Sequence, residues 1–306
     1  MDEKEFKTLL EQKAKEMDQV VISFLPKKEG LNQKILEAME YSVLAGGKRL
    51  RPIFMNEMYR LFGGKAENVI RPFVAAMEMI HTHSLVHDDL PALDNDSYRR
   101  GRLTTWKVYG DAFGVLAGDG LLSYAFETAM SSFDHIPDTD PVLIRRALKA
   151  VRILVGKSGI HGMIGGQSVD VLAEKEEKPL TREEILYIHE NKTAALIQAS
   201  MLIGAVLAGA DEDTLGQIEK CGYYIGVAFQ IQDDILDVVG DEKELGKPVG
   251  SDAVNHKQTY VTLNGLEASA KEVERMSNEA IDILDKLPGD ATFLKELTAY
   301  LIHRRK

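Results

Sequence analysis

The run TREEILYIHENKTAAL, from Thr181 to Leu196, decides the fold. Thr181 followed three residues later by Glu184 has the form of a capping box, in which each side chain satisfies the other's free backbone donor, so a helix is predicted to start here. Behind it Ile185, Ile188 and Leu196 recur at helical spacing, and the predicted helix carries Tyr187, His189, Lys192 and Thr193. The same three- and four-residue period runs through most of the chain, beginning with Phe6, Leu9 and Leu10, whereas alternating β-branched runs are nearly absent. An all-α protein follows. Turn signals at Gly46 and Gly47, Gly63 and Gly64, Pro137 to Pro141 and Glu174 to Pro179 divide it into helices.

With 306 residues, 44% of them hydrophobic, the chain can bury a large core, and no linker or low-complexity tract splits it, so one domain over residues 1–306 is expected. Its opening, MDEKEFK, carries no secretory signal pattern, and the single Cys221 excludes an internal disulfide framework; both favour the cytoplasm. The stretch from Ala194 to Ala210 is at the short limit for a membrane span and contains Gln198 and Ser200, which reads as a helix buried on all sides rather than a span. A net charge of −11 argues against nucleic acid or an anionic membrane as a partner. Gly240 to His256, interrupted by Gly, Pro and Asp, is expected to be a flexible segment that could act as a lid.

Two acid clusters sit among apolar residues: Asp88, Asp89 and Asp94 in HDDLPALDNDSYRRG (His87 to Gly101), and Asp233, Asp234 and Asp237 in FQIQDDILD (Phe229 to Asp237). Two like charges about 4 Å apart repel by roughly 4 kcal/mol at an effective dielectric near 20, so half-buried carboxylates must protonate, separate or hold a cation. Oxygen donors without cysteine or clustered histidine select a hard ion, and Mg²⁺, which keeps several waters and shares its other positions with phosphate, fits best. Asp233 and Asp237, four residues apart, lie on one helical face. Asp88 and Asp94, six apart, would diverge by roughly 240° on a straight helix, but Pro91 predicts a break around Leu90 to Leu93 that returns Asp94 to the side of Asp88. A calcium loop at Asp94 to Ser97 fails because Tyr98 and Arg99 stand where a ligand and a turn glycine belong. A solvated acidic surface would account for one cluster, less readily for two with basic residues nearby.

Basic residues gather at Lys48, Arg49 and Arg51 and again at Arg99, Arg100 and Arg102, and their placement beside acid-rich, apolar segments of an acidic chain points to anion binding. His81, seven residues before Asp88, shares its helical face. Carboxylates that hold magnesium and arginines that hold an anion together indicate a diphosphate enzyme.

The strings GGKRLRP (Gly46 to Pro52), EMIHTHSLVHDDLPALDNDSYRRG (Glu78 to Gly101), GQSVD (Gly166 to Asp170), FQIQDDILD and LGKPVGSD (Leu245 to Asp252) resemble those of the trans-polyprenyl diphosphate synthases, with the bacterial farnesyl diphosphate synthase branch the most similar. The resemblance covers almost the whole chain, in the family's order. It implies a homodimeric helical bundle around a deep central cavity, whose walls carry the two acid motifs face to face. Head-to-tail prenyl transfer would follow. Up to three magnesium ions would be held by Asp88, Asp94 and Asp233, with Asp89, Asp234 and Asp237 as further ligands or behind them. Arg99, Lys192, Lys247 and Lys257 would clamp the allylic diphosphate and stabilise it as it leaves. By the same resemblance the carbonyl of Lys192, the hydroxyl of Thr193 and the side chain of Gln230 would face the allylic cation, and Lys48, Arg51, His81 and Arg100 would bind isopentenyl diphosphate. Gln167 and Asp170 resemble further wall residues, though a structural polar pair reads equally well.

Product length in this family is limited by residues one turn before the first motif, here His83 and Ser84. His83 stands where short-chain bacterial enzymes often carry tyrosine, and with the two extra residues inside the first motif it favours a fifteen-carbon over a twenty-carbon product. Ser97 stands where relatives often carry an acid. A terpene cyclase lacks the second motif and the isopentenyl subsite, and a noncatalytic partner subunit tends to lose motif acids, whereas all six are present here.

Overall fold

The computed structural model describes residues 1–176, 179–239 and 258–302, and these form helices with a single two-stranded hairpin. In chain order the helices are α1 (Glu3–Ser23), α2 (Gln33–Val43), α3 (Leu50–Leu61), α4 (Glu67–Asp88), α5 (Thr105–Tyr109), α6 (Asp111–Met130), α7 (Pro141–Ser158), α8 (Met163–Glu176), α9 (Arg182–Ile188), α10 (Ala195–Ala208), α11 (Glu212–Val239), α12 (Tyr260–Asn264), α13 (Leu266–Leu284) and α14 (Thr292–Ile302). The all-α reading holds. The chain divides into two compact units, one of Asp2–Val155 with Ile203–Gly209, the other of Met1, Gly156–Leu202 and Ala210–Lys306.

In the first unit α4 packs along α6. α4 buries Phe73, Met77 and Ile80 completely, each contributing about 1.5–3 kcal/mol of burial. α6 offers small residues in return, with Gly114, Ala117, Gly118 and Ala125 buried. A side chain at Gly118 would collide with the ring of His87, and one at Gly114 with Leu90 and Trp106, so the absence of side chains on α6 is what lets the end of α4 approach it.

The hairpin follows α4: β1 (Tyr98–Arg99) pairs with β2 (Arg102–Leu103), Tyr98 opposite Leu103 and Arg99 opposite Arg102. Its two turn residues, Arg100 and Gly101, have φ of 53° and 75°, the pair of positive values that a tight two-residue hairpin requires.

In the second unit α11 packs on α13, burying Leu215, Ile218, Ile225 and Ile235 against a face that includes Val273, Met276, Ala280 and Ile283. Cys221 lies in this core, and burial pushes its thiol up, away from the reactive thiolate. The capping box at Thr181 is formed: the Thr181 amide donates to Glu184 Oε2 at 2.8 Å and the Glu184 amide to Thr181 Oγ1 at 3.2 Å. The helix does not continue regularly, however. From His189 to Ala194 it widens into a π turn before α10 begins. Arg182–Ala208 is long and apolar enough to cross a membrane by length and composition, and 78% of its most apolar window is buried within the protein, as expected for a core helix.

Candidate active site

The first acid cluster stands at the end of α4. Asp88 is the last helical residue; the chain then turns, with the Leu93 amide donating to the Leu90 carbonyl and the Asp94 amide to the Asp88 carbonyl, both at 2.9 Å. The break expected from Pro91 is therefore present, and it brings the Asp94 amide back to the Asp88 carbonyl. Asp88 is half-buried and Asp94 exposed, while Asp89 is buried, 4% exposed.

The hairpin folds Arg99 onto Asp89. Nη2 and Nε of Arg99 lie 2.6 and 2.7 Å from Asp89 Oδ1. Burial pushes the Asp89 carboxyl up from its ordinary value, and Arg99 opposes that rise. Burial likewise disfavours the Arg99 charge, but the bond to Asp89 and the charges of Asp89, Asp96 and Asp88 together leave the guanidinium raised. Arg100, next in the turn, donates through Nη1 to the Gly46 carbonyl. That contact joins the two basic clusters. His81, half-buried on α4, is held well below the usual histidine range by burial and by Arg51, Arg100, Arg49 and Arg99, so it is neutral.

One turn before the motif, His83 is buried, with Nδ1 2.9 Å from the Gly118 carbonyl. A carbonyl only accepts, which assigns the proton to Nδ1. Its ring meets that of His87 edge-on at 4.6 Å. The Ser84 hydroxyl is turned back onto the His81 carbonyl at 2.9 Å.

In the second unit an open cleft of about 160 Å³ is lined by Asp170, Lys192, Thr193, Gln230, Asp233, Asp234 and Asp237, with His189 and Thr259 at its walls. α11 supplies Gln230 and the three aspartates, α8 supplies Asp170, and the π turn supplies Lys192 and Thr193. The periodicity placed the last two on a regular helix; the structure places them in the wider turn, a form that is often found at functional positions. Close packing accompanies it. A side chain at Gly166 would lie 2.2 Å from the Lys192 amide nitrogen, so α8 reaches the π turn only because residue 166 is glycine. Lys192 Nζ then bonds Asp170 Oδ2 at 2.5 Å, and the Thr193 hydroxyl donates to Gln230 Oε1 at 3.0 Å.

Asp234 is buried and accepts from the Tyr260 amide at 3.0 Å at the start of α12, with His189 Nε2 3.5 Å away. Sequence reasoning gave His189 no part in the cleft; its position three residues before Lys192 was the available signal. Gln167 lies on α8 beside Asp170's turn. Lys247, Lys257 and the expected lid, Gly240 to His256, lie outside the described residues.

The donors are carboxylate oxygens, the ligand chemistry of a hard cation such as Mg²⁺. Among the described residues no group of three Asp, Glu, His or Cys side chains already forms a metal-holding cluster.

Residues 32–297 match the polyprenyl synthetase family. The chain is 46% identical over 239 residues to a farnesyl diphosphate synthase of Geobacillus stearothermophilus, covering 78% of this chain and 77% of that protein. It is 41% identical over 303 residues to a chloroplastic heterodimeric geranylgeranyl pyrophosphate synthase large subunit of Arabidopsis thaliana, covering 98% and 80%. A crystal structure of a Helicobacter pylori geranyltransferase complexed with magnesium and isoprenyl diphosphate superposes with a TM-score of 0.80 at 30% identity, over 96% of this chain and 95% of that one. The motifs, the helical fold and these likenesses agree, and the chain belongs to the polyprenyl synthetase family of prenyltransferase enzymes.

Proposed function

We propose that this protein condenses isopentenyl diphosphate head to tail with dimethylallyl and geranyl diphosphates and releases farnesyl diphosphate, as a magnesium-dependent cytoplasmic homodimer. The observation that carries the reading is the cleft in which Lys192, Thr193 and Gln230 stand beside Asp233 and Asp237. One cation, Lys192, and the weak dipoles of Thr193 and Gln230 share that cleft with the carboxylates, as ionisation of an allylic diphosphate demands.

Asp88, Asp94 and Asp233, with Asp89, Asp234 and Asp237 as further ligands or behind them, would hold magnesium, which would supply positive charge toward the departing diphosphate. Arg99 and Lys192 add fixed cations to the same anion, and Lys247 and Lys257 complete its clamp. Asp89 holds the Arg99 guanidinium in place, and Asp170 holds the Lys192 ammonium. Fixed charges need little reorganisation as the leaving group acquires its own. The Thr193 hydroxyl, the Gln230 amide and the Lys192 carbonyl face the allylic cation as dipoles; a strong nucleophile there would be alkylated. Lys48, Arg51, His81 and Arg100 hold isopentenyl diphosphate, with neutral His81 donating a hydrogen bond. Its double bond attacks the cation, and the proton then lost goes to the released diphosphate.

The product follows from His83, which is bulky, buried and tied to Gly118. A twenty-carbon product is the second reading, favoured by the likeness to geranylgeranyl pyrophosphate synthases. Incubation of the purified chain with isopentenyl and dimethylallyl diphosphates, with and without EDTA, and identification of the dephosphorylated alcohols tests both. Farnesol that disappears with EDTA is expected; geranylgeraniol selects the second reading; absence of any product with any divalent metal refutes catalysis by this chain alone.

A further inference from the structure

Beside the cations of the isopentenyl subsite lies a buried ion pair that the mechanism does not use. Arg49, 3% exposed, donates through Nη1 to Glu78 Oε1 at 2.6 Å, and Glu78 is 2% exposed. Arg49 also donates through Nε to Asp18 Oδ1 at 2.5 Å and through Nη2 to the Val43 carbonyl at 2.8 Å. Three directional bonds thus fix one side chain. Its backbone is held in the left-handed region, φ 49°, immediately before α3, a conformation that a residue with a Cβ adopts only when its surroundings impose it.

Arg49 lies between the two residues that matter. Lys48 precedes it on the surface, and Arg51 follows in the first turn of α3 with a buried Nε that has no hydrogen-bond partner. Burial is the main cause that brings Arg51 down to about 10, with Glu78 opposing it and Arg100 adding to it. Glu78 is also the leading carboxylate opposing the burial of Arg100. A buried ion pair contributes little net stability, because desolvation offsets the attraction. What it does supply is direction, and a guanidinium with several donors supplies it better than an ammonium.

We infer that Arg49 and Glu78 are positioning residues for isopentenyl diphosphate: their pairing locks the left-handed turn before α3 and so fixes where Lys48 and Arg51 present their charges. This rests on the reading of Lys48, Arg51, His81 and Arg100 as the isopentenyl subsite.

Steady-state kinetics of the full chain, with isopentenyl diphosphate varied at saturating geranyl diphosphate, test the assignment. Glu78→Gln raises KM for isopentenyl diphosphate at least about tenfold, with kcat changed less than threefold and the allylic KM less than twofold. The double variant Arg49→Gln/Glu78→Gln removes both charges of the buried pair and leaves only the part-exposed Asp18 without its guanidinium; its melting temperature returns toward wild type while its KM stays raised, and it carries the test if Glu78→Gln alone does not fold. A KM within twofold of wild type in the double variant, while Lys48→Ala and Arg51→Ala raise it, overturns the inference and leaves the subsite standing. If Lys48→Ala and Arg51→Ala also leave KM unchanged, the subsite assignment falls and the positioning role falls with it.

Discussion

The amide of Asp94 donates to the carbonyl of Asp88 across 2.9 Å, closing a turn at the end of α4 that joins the backbones of two aspartates of the first acid motif. Helix alone cannot do this at a separation of six. Asp88→Ala is expected to lower kcat at least about 100-fold. Deletion of Ala92, which retains all three aspartates but shortens the turn, is expected to cause a loss of similar size. Product formation measured beside circular dichroism checks both; near-normal turnover in the deletion variant would show that the turn is not what matters.

Gly166 sets the distance between α8 and the π turn. Gly166→Ala forces a Cβ to within 2.2 Å of the Lys192 amide nitrogen, a backbone atom that cannot swing away. Overpacking of this kind is expected to cost about 3 kcal/mol and, by displacing Lys192 and Thr193, to lower kcat more than about tenfold. Gly156→Ala in α7, where nothing lies within 4 Å of the new atom, serves as the control and is expected to stabilise by about 0.5–1 kcal/mol. Urea titrations and initial rates of the two variants decide.

Burial in the first place, and the neighbouring His87 in the second, push His83 from 6.5 down to about 4, against the bond to Gly118 that raises it. Above pH 6.5 the imidazole is neutral folded and unfolded, and contributes nothing to pH dependence. Below that value the unfolded chain takes up a proton that the folded chain refuses, so stability falls progressively from about pH 6.5 to about pH 4, by roughly 3 kcal/mol in all. His81, lowered in the same direction, adds to the loss. Denaturant unfolding across this range should show a shallower slope for His83→Phe than for wild type; parallel curves would show that His83 is not responsible.

His83→Ala tests product length directly. Removal of the ring is expected to shift the product from fifteen toward twenty carbons, read as geranylgeraniol after dephosphorylation. An unchanged distribution would assign the limit to another residue.

Local chemistry made much of the protein legible in the sequence. Helical periodicity, the Thr181–Glu184 box and the break at Pro91 each depend on residues within a few positions of one another, and each appears in the structure as the residue types dictate. The acid motifs and the basic runs were readable for the same reason, since Asp233 and Asp237 share a face by helical geometry alone. Tertiary structure decided what those residues touch. It widened the turn at Lys192 where Gly166 approaches, gave Asp89 to Arg99 across ten residues, Asp234 to the Tyr260 amide across 26, and Glu78 to Arg49 across 29. The physical reason is that periodicity determines which face of a helix is buried, whereas the partner of a buried charge depends on which distant segment arrives opposite it, and a charge left without one is costly enough to determine the geometry of the site.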